Sequence, residues 1–325
     1  MKNLADLGER HIIELIKNLV KQNESMIGIG DDCAALDMGK EYLLLTTDMI
    51  TKHTHISERM TAYQQGWFLV AINLSDLAAK GGKPLAVLIA LGLPKNTSEK
   101  YVQDLIKGAN DCAVRYGTVI AGGDTKENQT ITLCGTAVGC VKKDEIMLRK
   151  GAQPGDVLAV TGTVGHAAAG YYELQQQKNN PVLLKGLFEP IPRIPEGQIL
   201  GKMKVISSCM DSSDGLSSSL YQLQESNHLG FEIQKTLLPL SPNLSLLCFD
   251  DPYECALHFG GDYELLCTLP KHQVPNVQQE LKKLGTSFTV IGSVTKDEGI
   301  SLLSSGTKKV LPNKGYEHFS PHVFL

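Results

Sequence analysis

Gly28-Ile29-Gly30-Asp31-Asp32 opens a series that continues with Thr46-Thr47-Asp48, Asn73-Leu74-Ser75-Asp76, Gly122-Gly123-Asp124-Thr125 and Asp211-Ser212-Ser213-Asp214-Gly215-Leu216. Each segment sets a carboxylate beside glycine or a small hydroxyl residue, where a strand-like or helix-like run begins or ends. Carboxylates gathered in a low-dielectric site repel one another unless cations lie between them. Convergence of the five segments would therefore demand several divalent ions, and oxygen-only donors select magnesium or a similar hard ion. Ions held in this way most often serve a polyphosphate, which points to phosphoryl transfer.

Taken singly, the segments are ambiguous. Gly30-Asp31-Asp32 also suits a plain turn, and Thr46-Thr47-Asp48 also suits a strand that ends in a helix cap. Asp76 is spaced to pair with Lys80 one helical turn on, yet apolar neighbours Leu74, Leu77, Ala78 and Ala79 call for a partner to its charge. Gly122-Gly123-Asp124 after a buried strand has the form of a turn that cradles phosphate through backbone N–H groups. Asp211 and Asp214 precede a helix, where they read either as N-caps or as neighbours of a phosphate at its positive end. His53 and His55 lack a third His or Cys in a zinc pattern, so a solvated loop or a substrate contact fits them better.

The rest of the chain frames these motifs. Its 325 residues suffice for two domains, with 42% apolar and 20% charged residues, as in ordinary globular proteins. Lys plus Arg less Asp plus Glu is 31 − 35 = −4, which gives no positive field for nucleic acid or an anionic membrane. The eight cysteines (33, 112, 134, 140, 209, 248, 255 and 267) include no Cys-x-x-Cys pair, which favours a reducing, cytoplasmic setting. Asp6, Glu9 and Glu14 interrupt Met1 to Val20, which lacks the unbroken apolar stretch of a signal peptide, and the apolar run Leu85 to Leu93 is too short to span a bilayer.

Apolar spacing predicts an amphipathic helix over 9–20, a strand from Tyr42 ending on Asp48, a helix over 67–80, a buried strand over 85–91 and a helix over 98–116. The Gly/Pro segment Arg149 to Asp156 marks a boundary, giving expected domains of 1–148 and 149–325. Beyond it come a strand at 157–161, an alanine-rich helix, a polar loop at 175–180, and an extended connector through Pro190, Pro192 and Pro195. No P-loop, protein-kinase glycine loop or Gly-x-Ser-x-Gly elbow is present.

In order and spacing these motifs resemble the thiamine-monophosphate kinase family, part of the superfamily of aminoimidazole ribonucleotide synthetase and selenophosphate synthetase. The resemblance also rests on Lys150-Gly151-Ala152-Gln153-Pro154-Gly155-Asp156, Thr161-Gly162, Gly261-Asp262-Tyr263-Glu264-Leu265-Leu266 and Lys314-Gly315-Tyr316-Glu317-His318-Phe319. It implies a two-domain aminoimidazole ribonucleotide synthetase-like fold of α/β and α+β type, in which the N-terminal domain pairs across a homodimer and a C-terminal α+β domain completes the site. The implied reaction moves the ATP γ-phosphoryl group directly onto thiamine monophosphate, with several Mg²⁺ ions and no protein group acting as catalyst or covalent carrier. By position, Asp32, Thr46, Thr47, Asp48, Asp76, Asp124, Asp211 and Asp214 would hold metal; Gly123, Asp124, Arg149 and Ser213 would contact ATP; His55 and Tyr316 would face the thiamine moiety.

Three positions depart from the family. Gly261 stands where the family has the glutamate of Gly-Gly-Glu-Asp-Tyr-Glu, so either Asp262 serves in its place, as assigned to substrate binding, or the aminopyrimidine is held differently. Lys80 replaces a methionine and Ile56 a phenylalanine. The competing readings are a related ATP-dependent enzyme with another acceptor and a nucleotide-binding regulator without turnover. Selenophosphate synthetase is disfavoured because residues 1–27 contain no cysteine.

Overall fold

A computed structural model describes residues 3–21, 23, 26–245 and 251–319; Cys248 and the extreme ends of the two expected domains lie outside the described residues. The chain begins with helices α1 (Leu4–Leu7) and α2 (Glu9–Leu19). There follow β1 (Met26–Ile27), β2 (Ala34–Asp37), β3 (Glu41–Thr51), α3 (Ala62–Ala79), β4 (Lys83–Leu93), α4 (Glu99–Arg115), β5 (Ile120–Glu127) and β6 (Thr132–Lys142). These strands form one sheet, ordered β1-β2-β3-β6-β4-β5, antiparallel throughout except for the β4–β5 pair.

Helices α3 and α4 cover one face of this sheet. Thr61 and Gln64 start α3 with a reciprocal capping box. The two helices cross at glycines: a Cβ on Gly66 would lie 1.8 Å from the Leu105 carbonyl oxygen, and one on Gly108 would lie 1.8 Å from that of Tyr63. The other face of the sheet is open. Met49, Leu85 and Leu88 are exposed there, so the run 85–91 is a one-sided strand instead of a fully buried one.

The second half contains β7 (Val157–Thr161), α5 (His166–Gln175), α6 (Pro181–Phe188), α7 (Ile194–Met203), β8 (Ser208–Asp211), α8 (Leu216–Asn227) and β9 (Gly230–Gln234). It continues through α9 (Pro242–Ser245), α10 (Pro252–His258), β10 (Leu265–Leu269), α11 (Val274–Lys282), β11 (Phe288–Thr295), β12 (Ile300–Ser304) and β13 (Thr307–Val310). The second sheet runs β13-β12-β9-β11-β7-β10-β8, and only β9–β12 is parallel. Pro195 lies in the first turn of α7, where a missing N–H costs nothing, so the expected proline-rich connector ends before Ile194.

One apolar core joins the halves. Leu69, Leu74 and Leu77 of α3 belong to the same buried cluster as Val157, Ala159, Cys209 and Leu265 of the second sheet. Truncating one of these leucines to alanine costs about 2–5 kcal/mol. Helix α3 is apolar around nearly its whole circumference because sheet, α4, α7 and β8 all pack on it. It therefore carries Asp76 to the end of β8, where Asp211 stands. Among the described residues no helix is long and apolar enough to cross a membrane.

Candidate active site

Strand alternation sorts the first donors. Asp48 is not at a strand tip, since β3 continues to Thr51. Thr46 and Asp48 share one face of β3, and Thr47 points to the other. There the Thr47 hydroxyl donates to the Gly135 carbonyl at 2.9 Å. Thr46 Oγ1 donates to Asp76 Oδ2 at 2.5 Å, and Ser75 Oγ donates to Asp211 Oδ2 at 2.6 Å. Carboxylate oxygens of Asp32, Asp76 and Asp211 lie within 4.8 Å of one another. Three segments far apart in the chain thus meet on one spot.

Charge crowding is visible in the protonation of the group. Burial, then the charges of Asp48, Asp211 and Asp32, push the Asp76 carboxyl well above the ordinary aspartate range. Burial raises Asp48 to about 6, and burial with the nearby Asp32 charge raises Asp211 to about 7. Asp214 is raised to about 6 by burial and then by Glu9. Asp32 goes the other way: burial opposes its charge, but the cations of Arg149 and Lys80 prevail and hold it below the usual range. Arg149 Nε donates to Asp32 Oδ1 at 2.7 Å, and Lys80 Nζ stands 2.8 Å from Asp32 Oδ2. An oxygen-only, self-repelling set of this kind fits a hard divalent cation.

The carboxylates line a cavity of about 870 Å³ that is also bordered by Arg149, Ser213 and Asp214. Gly215 precedes α8 without any side-chain cap, so neither Asp211 nor Asp214 serves as its N-cap. The same cavity is bordered by an aromatic group. The His55 ring lies 6.3 Å from Phe68 and 5.8 Å from His318, and Tyr316 meets His318 edge-on at 4.9 Å. Burial, with the neighbouring His318, lowers His55 to about 4, so its imidazole is neutral at pH 7.

Three expected placements are not met within one copy of the chain. Gly122, Gly123 and Asp124 form no turn: they lie within edge strand β5, where Asp124 is exposed and 3.6 Å from Lys126. They do not border the cavity. Asp262 does not replace the missing glutamate either. Its Oδ2 accepts the Gly165 N–H at 2.5 Å and its Oδ1 that of Ala167 at 3.0 Å, which commits it to capping α5. The cavity is bordered instead by Gly261, at φ +98°, where a Cβ would crowd Ala167 at 3.2 Å. The expected Asp76–Lys80 pair is also replaced, because Lys80 turns to Asp31 and Asp32.

Comparison with known proteins gives the family. The N-terminal domain of AIR synthase related proteins matches residues 30–141, and the corresponding C-terminal domain matches residues 153–304. The thiamine-monophosphate kinase of Methanospirillum hungatei is 34% identical over 312 residues, covering 96% of this chain and 99% of that protein. This chain belongs to the thiamine-monophosphate kinase family. The family member from Escherichia coli K12 is 35% identical over 303 residues, covering 90% and 92% of the two chains. A solved structure described as AaThiL complexed with AMPPCP and TMP superposes with TM-score 0.87 at 31% identity, covering 98% of this chain and 99% of that one.

Sequence reasoning missed two charged residues at the family's site. Glu9, at the start of α2, borders the cavity and accepts the His318 backbone N–H at 3.1 Å. Lys80 sits at the carboxylates with 1% of its surface exposed. Glu9 carries no local signal, since it is brought there by docking of the C-terminal segment. Lys80 did differ from the family at a position next to the aspartate motif, and that difference was the available signal.

Proposed function

We infer that this chain transfers the γ-phosphoryl group of ATP to thiamine monophosphate, giving thiamine diphosphate and ADP. The observation that carries the reading is the meeting of Asp32, Asp76 and Asp211 on a cavity that also presents His55, Phe68 and Tyr316. A charged-phosphate end and an aromatic end in one cavity suit a substrate that is a phosphate ester of a two-ring cation. The family members of similar length support the same reaction.

Asp32, Asp48, Asp76, Asp211 and Asp214, with Thr46, are the residues we assign to hold Mg²⁺; Thr47, its hydroxyl committed to Gly135, is left only its backbone carbonyl for that role. Bound there, the ions would offset repulsion between the two anionic phosphates. Arg149 is placed beside Asp32, from where its guanidinium pairs naturally with ATP phosphate oxygens. Ser213 and the Gly123-Asp124 pair complete the proposed nucleotide contacts. Neutral His55 gives the thiamine rings an uncharged wall, with Tyr316 beside it through His318. The acceptor phosphate is already ionised, so the residues need only orient and bind it, and none must abstract a proton.

Homodimerisation belongs to the same proposal. The open face with Met49, Leu85 and Leu88, and the unpaired edge of β5, are surfaces a second copy would cover. Asp124 stands on that edge, which gives it a route to a site that it does not reach within one copy. Residues 1–148 are assigned to metal binding and pairing and 149–325 to completing the site, in a cytoplasmic enzyme. A related enzyme with another acceptor is the second reading, favoured by Gly261 in place of the family's glutamate.

The test is release of ADP from ATP and Mg²⁺ with and without thiamine monophosphate, with thiamine diphosphate measured directly. Equal formation of both products, abolished by Asp48→Asn, is expected. Nucleotide binding without thiamine diphosphate would transfer the assignment to another acceptor or to a regulator.

A further inference from the structure

Lys80 ends α3 at its C-cap and is among the largest fully buried side chains of the described residues. Its ammonium donates to Asp31 Oδ1 and to the Cys209 carbonyl at 3.2 Å, and it stands 2.8 Å from Asp32 Oδ2 as an ion pair. Such a triad of oxygens, two of them anionic, is the surrounding a hard cation prefers. Lys80 does not border the cavity, so its ammonium offers a bound phosphate no contact. Lys80 is thus a positioning residue, and what it brings to the group is one positive charge.

The neighbouring charges make that addition count. Asp31, Asp32, Asp48, Asp76 and Asp211 all border the cavity, with Arg149 as the other cation bonded to Asp32. Cys209 is on the same strand as Asp211, and Asp31 also accepts the Arg149 backbone N–H at 3.1 Å. The ammonium therefore links the 28–32 turn, α3 and β8 at the point where the carboxylates converge. A neutral side chain of similar length would leave two buried carboxylates with less compensation.

We propose that the Lys80 ammonium is a built-in cation of this site, taking the place of one divalent ion that an uncharged residue there would require. The inference rests on the proposed reading of the carboxylates as a metal site, but its test does not depend on which acceptor the enzyme phosphorylates.

The experiment counts Mn²⁺ bound per chain, by equilibrium dialysis with electron paramagnetic resonance detection of free ion, in wild type and Lys80→Met. Melting curves in chelator and in saturating Mn²⁺ accompany it, all without nucleotide. Lys80→Met is expected to bind one more Mn²⁺ per chain. In chelator it should melt at least about 5 °C below wild type, because a buried carboxylate has lost its partner. Saturating Mn²⁺ should close most of that gap. The double variant Asp31→Asn/Lys80→Met, with one carboxylate fewer to neutralise, should return to the wild-type count and melt above the single variant. An unchanged Mn²⁺ count overturns the proposal, as does a melting deficit that Mn²⁺ leaves open. Failure of Lys80→Met to fold at any Mn²⁺ concentration overturns it too, since a metal would then not replace the ammonium. If wild type itself binds no Mn²⁺, the metal-site reading fails, and that result is distinct from an unchanged count.

Discussion

Replacing Asp211 by asparagine should stabilise the metal-free protein while abolishing turnover. Asp211 is buried, and its carboxyl is raised to about 7 from 3.8. At about 1.4 kcal/mol per pH unit, ionising it in the fold at pH 8 costs about 4 kcal/mol. Because the native value lies above the unfolded one, the contribution is most favourable below pH 3.8 and is lost as pH rises through about 7. At pH 5 the native carboxyl is protonated while the unfolded one is mostly ionised, and the cost shrinks to less than half, about 2 kcal/mol. Asparagine keeps an acceptor for the Ser75 hydroxyl and removes the charge. Neighbouring Asp48 and Asp76 relieve part of the repulsion by taking up protons, so about half of the gain should be realised, on the order of 2 kcal/mol at pH 8. With an unfolding entropy of about 2.1 cal/mol/K per residue, that corresponds to a Tm rise of about 3 °C in chelator. The rise should fall to about 1 °C at pH 5. Calorimetry on wild type and Asp211→Asn at the two pH values decides the matter. A Tm that drops at pH 8, or a difference that does not grow with pH, would refute the electrostatic account of this cluster.

Three further outcomes follow from the site. Half-saturating Mn²⁺ should fall as pH rises from about 6 to 8, because Asp48 and Asp211 must release protons to bind it, and a flat profile would count against both as ligands. Glu9→Gln should raise KM for thiamine monophosphate about tenfold, with KM for ATP nearly unchanged, if this cavity carboxylate holds the aminopyrimidine in place of the family's glutamate. Equal changes in both KM values would instead mark Glu9 as a support for the C-terminal segment. Asp124→Asn should lower kcat at least about tenfold despite its position outside the cavity of one copy, and unaltered turnover would remove Asp124 from the metal and ATP assignments.

The carboxylate motifs, their spacing and the absence of rival nucleotide motifs were legible in the chain because turns and strand ends are written in local residue choice. The existence of β3, though not its end at Thr51, and the amphipathic spacing of α4 were legible for the same reason. What local choice cannot specify is which segments meet. Thr47 lies between two residues of the site yet turns its hydroxyl away, a consequence of pleat register against Gly135. Asp262, next to the position where a glutamate was wanted, is taken by the N–H groups that open α5. Asp124 is left on an open strand edge because β5 has a neighbour on one side only.

Lys80 shows the division most plainly. Sequence spacing offers it Asp76, one helical turn away, but the C-cap of α3 aims the ammonium at Asp31, Asp32 and the Cys209 carbonyl. The sequence alone determined that the chain carries the donors of a phosphoryl-transfer site and resembles a known family, since those signals are short-range. Only the tertiary structure decided which donors converge and which lysine stands among them, because long-range packing of α3 between the two sheets sets those distances.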